Sequence, residues 1–417
     1  MGSTNVGHVD IPPWLNSEFL ATILSEEEKT DVSVTDMEVK AAVSRGDNFL
    51  STLYRIMVEC NESNGGSGIN RYFLIIKTLP KDEVLQQVVL ESRSFEKELQ
   101  MYGSTLPAMY GNMKAKLHPV SARYMPTKMN NIIILEDLQH LGYKMANRHA
   151  GFDLEHCEMA VKALARFHAA SVALHKSDPA CMDMYTEGFY VETEEVRKRM
   201  NTHLSYVLES LASQIEKWPG YEHYANKIRK LIPTAFDQML KLTEPEKDSL
   251  NVLNHGDCWV NNIMFHYCPK TGKVDDVKLI DFQLARFSSP ALDLQYFLCS
   301  STNDEVRFTK RGHLLSEYHA ELRDTLGALE LDPDQFTLEQ LKEEFEEKEM
   351  FGLISVCTML WVTLASSSEV PDFSEMKLQD NNTNEINSHP VDKAMSGSRF
   401  REVLQTFLLH YDSKGII

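Results

Sequence analysis

Between residues 40 and 80 the chain alternates apolar and polar positions with a period of two, the signature of half-buried strands. Leu53 and Met57 fall on one face of such a strand, and Tyr54, Ile56 and Val58 on the other. Tyr72 to Lys77 is a second apolar run, ending in a charge, and Glu62 to Gly68 between them is rich in Gly, Ser and Asn. Two strands around a turn of that composition predict a hairpin. Ahead of it, Pro12-Pro13-Trp14 opens a predicted helix running to about Ser25. Behind it, Glu91 to Tyr102 predicts a helix and Ile132 to Leu135 a short buried strand.

From about residue 155 the period lengthens. Ala160, Val161, Leu164, Phe167 and Ser171 share one face at helical spacing. Residues 190–245 read as mostly helical, with a break at Trp218-Pro219-Gly220. A short β-rich stretch returns over 253–282, and helices dominate the rest of the chain. The acidic run Glu343 to Glu349 reads as a solvated helix face, and Gln379 to Pro390 as a polar loop. Met350 to Ala365 carries no charge. It is shorter than the roughly 20 residues a spanning helix needs, and Ser355, Cys357, Thr358 and Thr363 interrupt it, so it reads as a buried core helix. The order predicts an α+β protein, strand-rich first and helix-rich after.

Composition narrows the partners. The 417 residues carry 42 Lys and Arg against 61 Asp and Glu, a net charge of −19. Nucleic acid binding relies on cations that neutralise phosphates, so neither nucleic acid nor an anionic membrane is an expected partner. Seven cysteines are scattered without a Cys-x-x-Cys pair, which suits a reduced, cytoplasmic setting rather than a disulfide framework. The start, Met1 to Val6, has no basic region leading into an apolar core, so no signal peptide is expected. Val6 stands where a myristoylation signal wants Ser or Thr.

The candidate chemistry lies in two short segments, His255-Gly256-Asp257-Cys258-Trp259-Val260-Asn261-Asn262 and Leu279-Ile280-Asp281-Phe282-Gln283. Phosphoryl transfer needs a carboxylate to take the acceptor's proton, oxygen ligands for Mg2+, and a lysine at the phosphates. Asp257 and Asn262 fit base and metal ligand. Asp281 closes an apolar strand and would emerge beside that loop. Mg2+ accepts such a sparse oxygen site, completed by water and phosphates. His255 serves either as a brace for the loop or as a base, and Asp293 as a brace or a helix cap. His266 and Cys268 form one short pair, whereas structural zinc uses two such pairs.

The motif H-G-D-x-x-x-x-N followed by I-D-F resembles the aminoglycoside phosphotransferases and choline kinases, and more narrowly the insect ecdysteroid-kinase-like family. Further matching segments are Pro13-Trp14-Leu15, Gly46 to Ser51, Ile75-Ile76-Lys77, Phe95 with Glu98, Met101-Tyr102, Leu135 to Leu138, Leu164 to Ser171 and Asp293-Leu294. The resemblance implies a two-lobe, protein-kinase-like fold, with a small β-rich lobe over about 1–138 and a helical lobe over 139–417. It implies ATP and Mg2+ as cofactors. Lys77 would pair with the α- and β-phosphates and Glu98 with Lys77, although Glu91 and Glu96 are rivals on the same predicted helix. Asp257 would be the base, and Asn262 and Asp281 the metal ligands. The backbone near Glu136-Asp137 would meet adenine, and Gly46 to Ser51 would cover the phosphates. That loop lacks a G-x-G-x-x-G, so cradling falls to backbone N–H groups and the Ser51 hydroxyl. Gln283 stands where protein kinases carry glycine, which restricts positive φ there.

The implied reaction is phosphorylation of a small-molecule alcohol, an ecdysteroid or a hydroxylated xenobiotic. Alternatives are a choline- or ethanolamine-type kinase and an inactive kinase-like binding protein. Met182, Met184, Tyr185, Phe189, Tyr190, Trp218, Tyr221 and Tyr224 are either core or an apolar acceptor wall.

Overall fold

Antiparallel pairing organises the first third of the chain. The computed structural model describes residues 10–42, 51–62, 69–112, 118–186, 189–365 and 389–417. In it, β1 (Val32–Ala41), β2 (Thr52–Glu62), β3 (Ile69–Thr78), β4 (Tyr124–Met125) and β5 (Ile132–Glu136) form one sheet in the order β1-β2-β3-β5-β4. All its pairings are antiparallel. β2 and β3 are the expected hairpin; its turn, 63–68, lies outside the described residues, as do 46–50 of the expected phosphate loop.

The alternation of β2 sets which face is covered. Tyr54, Ile56 and Val58, with Leu74 and Ile76 of β3, are buried together with Leu20, Ile23 and Leu24 of α1 (Ser17–Glu28). Each such side chain contributes on the order of 1.5–3 kcal/mol by leaving water. α1 starts later than the prolines suggest because Asn16 is its cap, accepting from the Phe19 N–H at 3.0 Å. That bond satisfies a donor with no partner inside the helix.

Two compact units result. One is Met1–Val89 with Ala122–Gly142, and the other Leu90–Ser121 with Tyr143–Ile417. The first holds the sheet and the second is mainly helical, so the α+β class is as expected. The single helix expected over Glu91 to Tyr102 is divided. Helix α2 (Glu83–Glu91) ends, Arg93 takes a left-handed φ of 52°, and α3 (Ser94–Gln100) begins. A π turn, Met101–Thr105, then leads into α4 (Leu106–Asn112).

The second unit is built on α5 (Leu154–Ser177), capped by Asp153, whose side chain accepts from the His156 N–H at 3.1 Å. All five residues expected on its apolar face are buried. Helices α6 (Glu194–Ile215), α7 (Glu222–Leu231) and α8 (Ala235–Leu242) follow, with the break at Trp218-Pro219-Gly220 where expected. β6 (Lys144–Met145), β8 (Ile263–Tyr267) and β9 (Val274–Leu279) make a three-stranded sheet. β7 (Val252–Asn254) pairs with β10 (Arg286–Ser288). α9 (Ala291–Ser300) is buried along its whole length.

Two expectations are corrected. Glu344, Lys348 and Glu349 are buried, not solvated. Glu344 accepts from the Ser249 and Ser289 hydroxyls, and Glu349 pairs with Lys414 at 2.9 Å and His410 at 3.1 Å. Buried charges need such partners, and a local pattern cannot display them. Residues 350–365 are mostly buried but not one regular helix, since a π turn over Val356–Leu360 separates Glu349–Ser355 from Trp361–Leu364. Among the described residues no helix is long and apolar enough to cross a membrane. Residues 379–388 of the expected polar loop lie outside the described residues, and a helix begins at His389.

Candidate active site

The chain after β7 turns sharply, and the turn requires glycine. Gly256 has φ 81°, and a Cβ there would lie 2.0 Å from the Leu284 carbonyl oxygen. Only a residue without a side chain permits that approach.

Three side chains fix this turn. His255 is fully buried; its Nε2 donates to the Ile280 carbonyl at 3.0 Å and its Nδ1 accepts from the Asp257 N–H at 3.3 Å. Burial pushes its pKa down, which keeps it neutral. His255 therefore ties the loop to the segment that carries Asp281, the bracing role. Asp293, from α9, accepts from the His255 N–H at 2.6 Å and the Gly256 N–H at 2.9 Å. His168 stands behind it, with Nε2 3.1 Å from Asp293 Oδ2 and Nδ1 2.7 Å from the Tyr318 hydroxyl. Burial raises the Asp293 carboxyl, but the His168 hydrogen bond and charge, with His255 and the Gly256 N–H, hold it below its ordinary value. Asp293 is thus an ionised brace for the loop.

Both oxygens of Asp257 are oriented. Oδ2 accepts from Asn262 Nδ2 at 2.9 Å, and Oδ1 from the Tyr296 hydroxyl at 2.6 Å. Asn262 Nδ2 also donates to the Asp257 carbonyl at 2.9 Å. With its amide nitrogen so committed, Asn262 keeps its oxygen Oδ1 for a cation. The Ile280 N–H donates to the Asn262 carbonyl at 3.0 Å, which joins the two segments directly. Asp281 follows with φ 67°, a left-handed conformation that Asp adopts more readily than most residues. Gln283 is not among the residues with positive φ, so glycine's freedom is not needed there and the expected restriction falls away.

Tyr102 marks the far side of Asp281. It is buried, and its ring lies edge-on to that of Phe282, the residue after Asp281, at 5.6 Å. Burial, then the charges of Glu98 and Asp281, push its pKa well up. Glu98 on α3 therefore shares this neighbourhood. An amide oxygen and a carboxylate, both hard oxygen donors, fit Mg2+, which takes the rest of its shell from water and phosphate.

These residues belong to a known family: the model of the ecdysteroid kinase-like family matches residues 45–331. The chain belongs to the ecdysteroid kinase-like family. That membership supports a small-molecule phosphotransferase. No curated protein matches the chain. Among solved structures it is similar to a choline kinase from Cryptosporidium parvum, at 16% identity over 91% of each chain, with a TM-score of 0.45. It is also similar to an ethanolamine kinase from Plasmodium vivax, at 12% identity over 90% of this chain and 84% of that one, TM-score 0.43. The choline kinase LicA from Streptococcus pneumoniae matches at 13% identity over 93% and 99%, TM-score 0.39.

Of the residues singled out in this family member, Asp257, Asn262 and Asp281 come together in the second unit, with Glu98 nearby. The others stand in the sheet of the first unit. Lys77 pairs with Leu53 of β2 and Ile133 of β5, and alternation directs it away from the face of Leu74 and Ile76. Ser51 immediately precedes β2. Glu136 ends β5; its N–H donates to the Arg123 carbonyl at 3.0 Å, and its Oε1 accepts from the Arg123 N–H at 2.8 Å. Its neighbour Asp137 holds Arg55 Nε at 2.7 Å.

Sequence reasoning missed Tyr296. A signal existed: it lies three residues after Asp293, so both project from one face of α9. It also missed a cavity of about 80 Å³ in the second unit. Gly256 and Tyr296, from the Asp257 loop and α9, meet Phe189, Tyr190, Phe351 and Arg286 in its wall. Of the eight Met and aromatic residues considered for an acceptor wall, Phe189 and Tyr190 line this cavity. Met182, Tyr185, Trp218 and Tyr224 are buried elsewhere as core.

Proposed function

We propose that this protein transfers the γ-phosphoryl group of ATP to a hydroxyl of an ecdysteroid or another lipophilic, hydroxylated compound. The observation that carries the proposal is Asp257, held at both oxygens by Asn262 and Tyr296, with Tyr296 also walling an aromatic cavity. Asp257 takes the acceptor's proton as the acceptor oxygen bonds to the γ-phosphorus and the bond from that phosphorus to the β,γ-bridging oxygen breaks, releasing ADP. The fixed carboxylate needs no reorganisation at that moment, which favours the transition state. Asn262 Oδ1 and Asp281 would hold Mg2+, which supplies positive charge at the β- and γ-phosphate oxygens when bound.

The remaining assignments follow the family pattern. Lys77 pairs with the α- and β-phosphates, Glu98 orients Lys77, and the Ser51 hydroxyl helps hold the phosphates. The backbone at Glu136-Asp137 meets adenine. Phosphorylation adds about −1.5 to −2 charge at neutral pH, so a lipophilic alcohol becomes soluble and trapped. That outcome suits hormone storage or detoxication in the cytoplasm.

The test is incubation of the purified protein with Mg·ATP and ecdysteroids, steroid glycosides, phenolics or choline, read by mass gain of one phosphate. Asp257→Asn keeps the size of the side chain but removes the proton acceptor. Turnover should fall by roughly 10²–10⁴-fold, the usual worth of a general base, with Mg·ATP binding retained. Near-normal turnover in that variant removes Asp257 as the base.

A further inference from the structure

The aromatic wall of the cavity suits two opposite kinds of acceptor. Phe189, Tyr190, Tyr296 and Phe351 could surround a quaternary ammonium, as aromatic cages do, or an apolar ring. The charged groups in the same wall separate the two. They are Lys97, Arg286 and Asp293. Asp293 is spent: its two oxygens accept from the His255 and Gly256 N–H groups and face His168. Among the described residues no other carboxylate lines the cavity. Glu244 lies close enough to influence Arg286, but outside the lining.

Arg286 is held as a fork with one prong unused. Its Nε donates to the Thr243 carbonyl at 2.8 Å and its Nη2 to the Tyr190 carbonyl at 3.0 Å. Its Nη1 makes no hydrogen bond among the described residues. Burial lowers the Arg286 pKa to about 10, so it remains charged at neutral pH. Lys97 Nζ lies on the same cavity, 3.3 Å from the Ala285 carbonyl oxygen. At about 80 Å³ the cavity is well below the roughly 300–1,000 Å³ that encloses a drug-sized ligand. It has room for one end of an acceptor, not for a whole polycycle.

We infer that this cavity is an anchoring subsite for an oxygen-bearing end of the acceptor, a carboxylate or carbonyl bound by Arg286, and that the Arg286 charge excludes cationic alcohols. With Nε and Nη2 anchored on backbone carbonyls, the guanidinium holds Nη1 in a fixed direction as a charged donor to such an oxygen. In a partly enclosed site like charges repel more strongly than in water. The inference rests on the phosphotransfer reading for its consequence, but the subsite itself is a matter of binding.

Three small ring alcohols of matched shape test it: 4-hydroxycyclohexanecarboxylate, its methyl ester, and 4-hydroxycyclohexyl-trimethylammonium. Binding to the full-length protein is measured by ligand-observed NMR titration, and phosphorylation by kcat/KM with Mg·ATP. The expected order is carboxylate, then ester, then ammonium, with at least tenfold between the first and the last. Arg286→Gln should bring that ratio within threefold, mainly through KM. Arg286→Lys keeps the charge without the two carbonyl anchors that aim Nη1, so it should still reject the ammonium while losing most of the gain for the carboxylate. A purely structural Arg286 would weaken all three alcohols alike and leave the ratio unchanged, and that result overturns the inference. So does equal or preferential binding of the ammonium by the unmodified protein. If no alcohol is phosphorylated but binding follows the charge order, the subsite stands and the kinase reading falls. Phosphorylation without the charge order does the reverse.

Discussion

Replacing Asp293 by Asn changes one atom in a fully buried junction and should disable the catalytic loop. The carboxylate receives the His255 N–H at 2.6 Å, the Gly256 N–H at 2.9 Å, and His168 at 3.1 Å. An amide offers one acceptor oxygen, so its NH2 must face at least one of these donors. A hydrogen bond to a charged group, worth about 1.5–3 kcal/mol, is lost, and a buried N–H left unpaired costs about 1–3 kcal/mol more. The expected destabilisation is about 3–5 kcal/mol. The loop must also shift to relieve the donor–donor contact, and a displacement near 1 Å at a reacting group costs on the order of 10²-fold in rate. Urea unfolding followed by tryptophan fluorescence reads the first effect, with buried Trp259 inside the loop as a local reporter. Turnover with Mg·ATP reads the second. The pH dependence gives a separate check. The Asp293 pKa is depressed in the folded protein, so its contribution is present above the unfolded value near 3.8 and is lost as pH falls through the lower folded value. The stability gap between the two proteins should therefore narrow below about pH 4. A variant within 1 kcal/mol of the parent at neutral pH, turning over within threefold of it, would refute the bracing role.

Three further outcomes are expected. Asp281→Ala and Asn262→Ala should both weaken Mg2+-dependent nucleotide binding in calorimetry, Asp281 more, because an anionic ligand contributes more to a hard dication than a neutral amide; unchanged affinity in both moves the metal site elsewhere. Tyr296→Phe removes the hydroxyl that holds Asp257 Oδ1 at 2.6 Å, and should lower kcat by about tenfold, the kinetic equivalent of about 1.4 kcal/mol, with Mg·ATP affinity kept; an unaltered kcat makes that contact incidental. Gly256→Ala puts a Cβ 2.0 Å from the Leu284 carbonyl oxygen at φ 81°, so the loop must move; about 2 kcal/mol or more of lost stability and at least 10²-fold lower turnover are expected, and parent-like values for both would show that the loop tolerates the shift.

Elements with a local cause were legible in the chain before it folded. Period-two alternation specifies β2 and β3, because a strand turns successive side chains to opposite faces. Helical spacing specifies α5 for the equivalent reason. The segments around Asp257 and Asp281 were legible because each is contiguous: the proposed base Asp257 and the proposed ligand Asn262 sit on one loop, and Asp281 follows the end of one strand. Contacts between elements far apart in the chain depended on packing. Asp293 and Tyr296 grip the Asp257 loop from α9, His168 backs Asp293 from α5, and Arg286 lines the cavity from β10. Glu344 and Glu349 are buried among partners from other elements, although the acidic run that carries them reads as a solvated helix face. The sharp turn at Arg93 interrupts a pattern that looks continuous, because a single left-handed residue leaves the apolar spacing on either side intact. Local pattern reports which face of an element must leave water; only the packed chain specifies which polar groups meet on the other side of it, since those partners are chosen by distance in space and not by position in sequence.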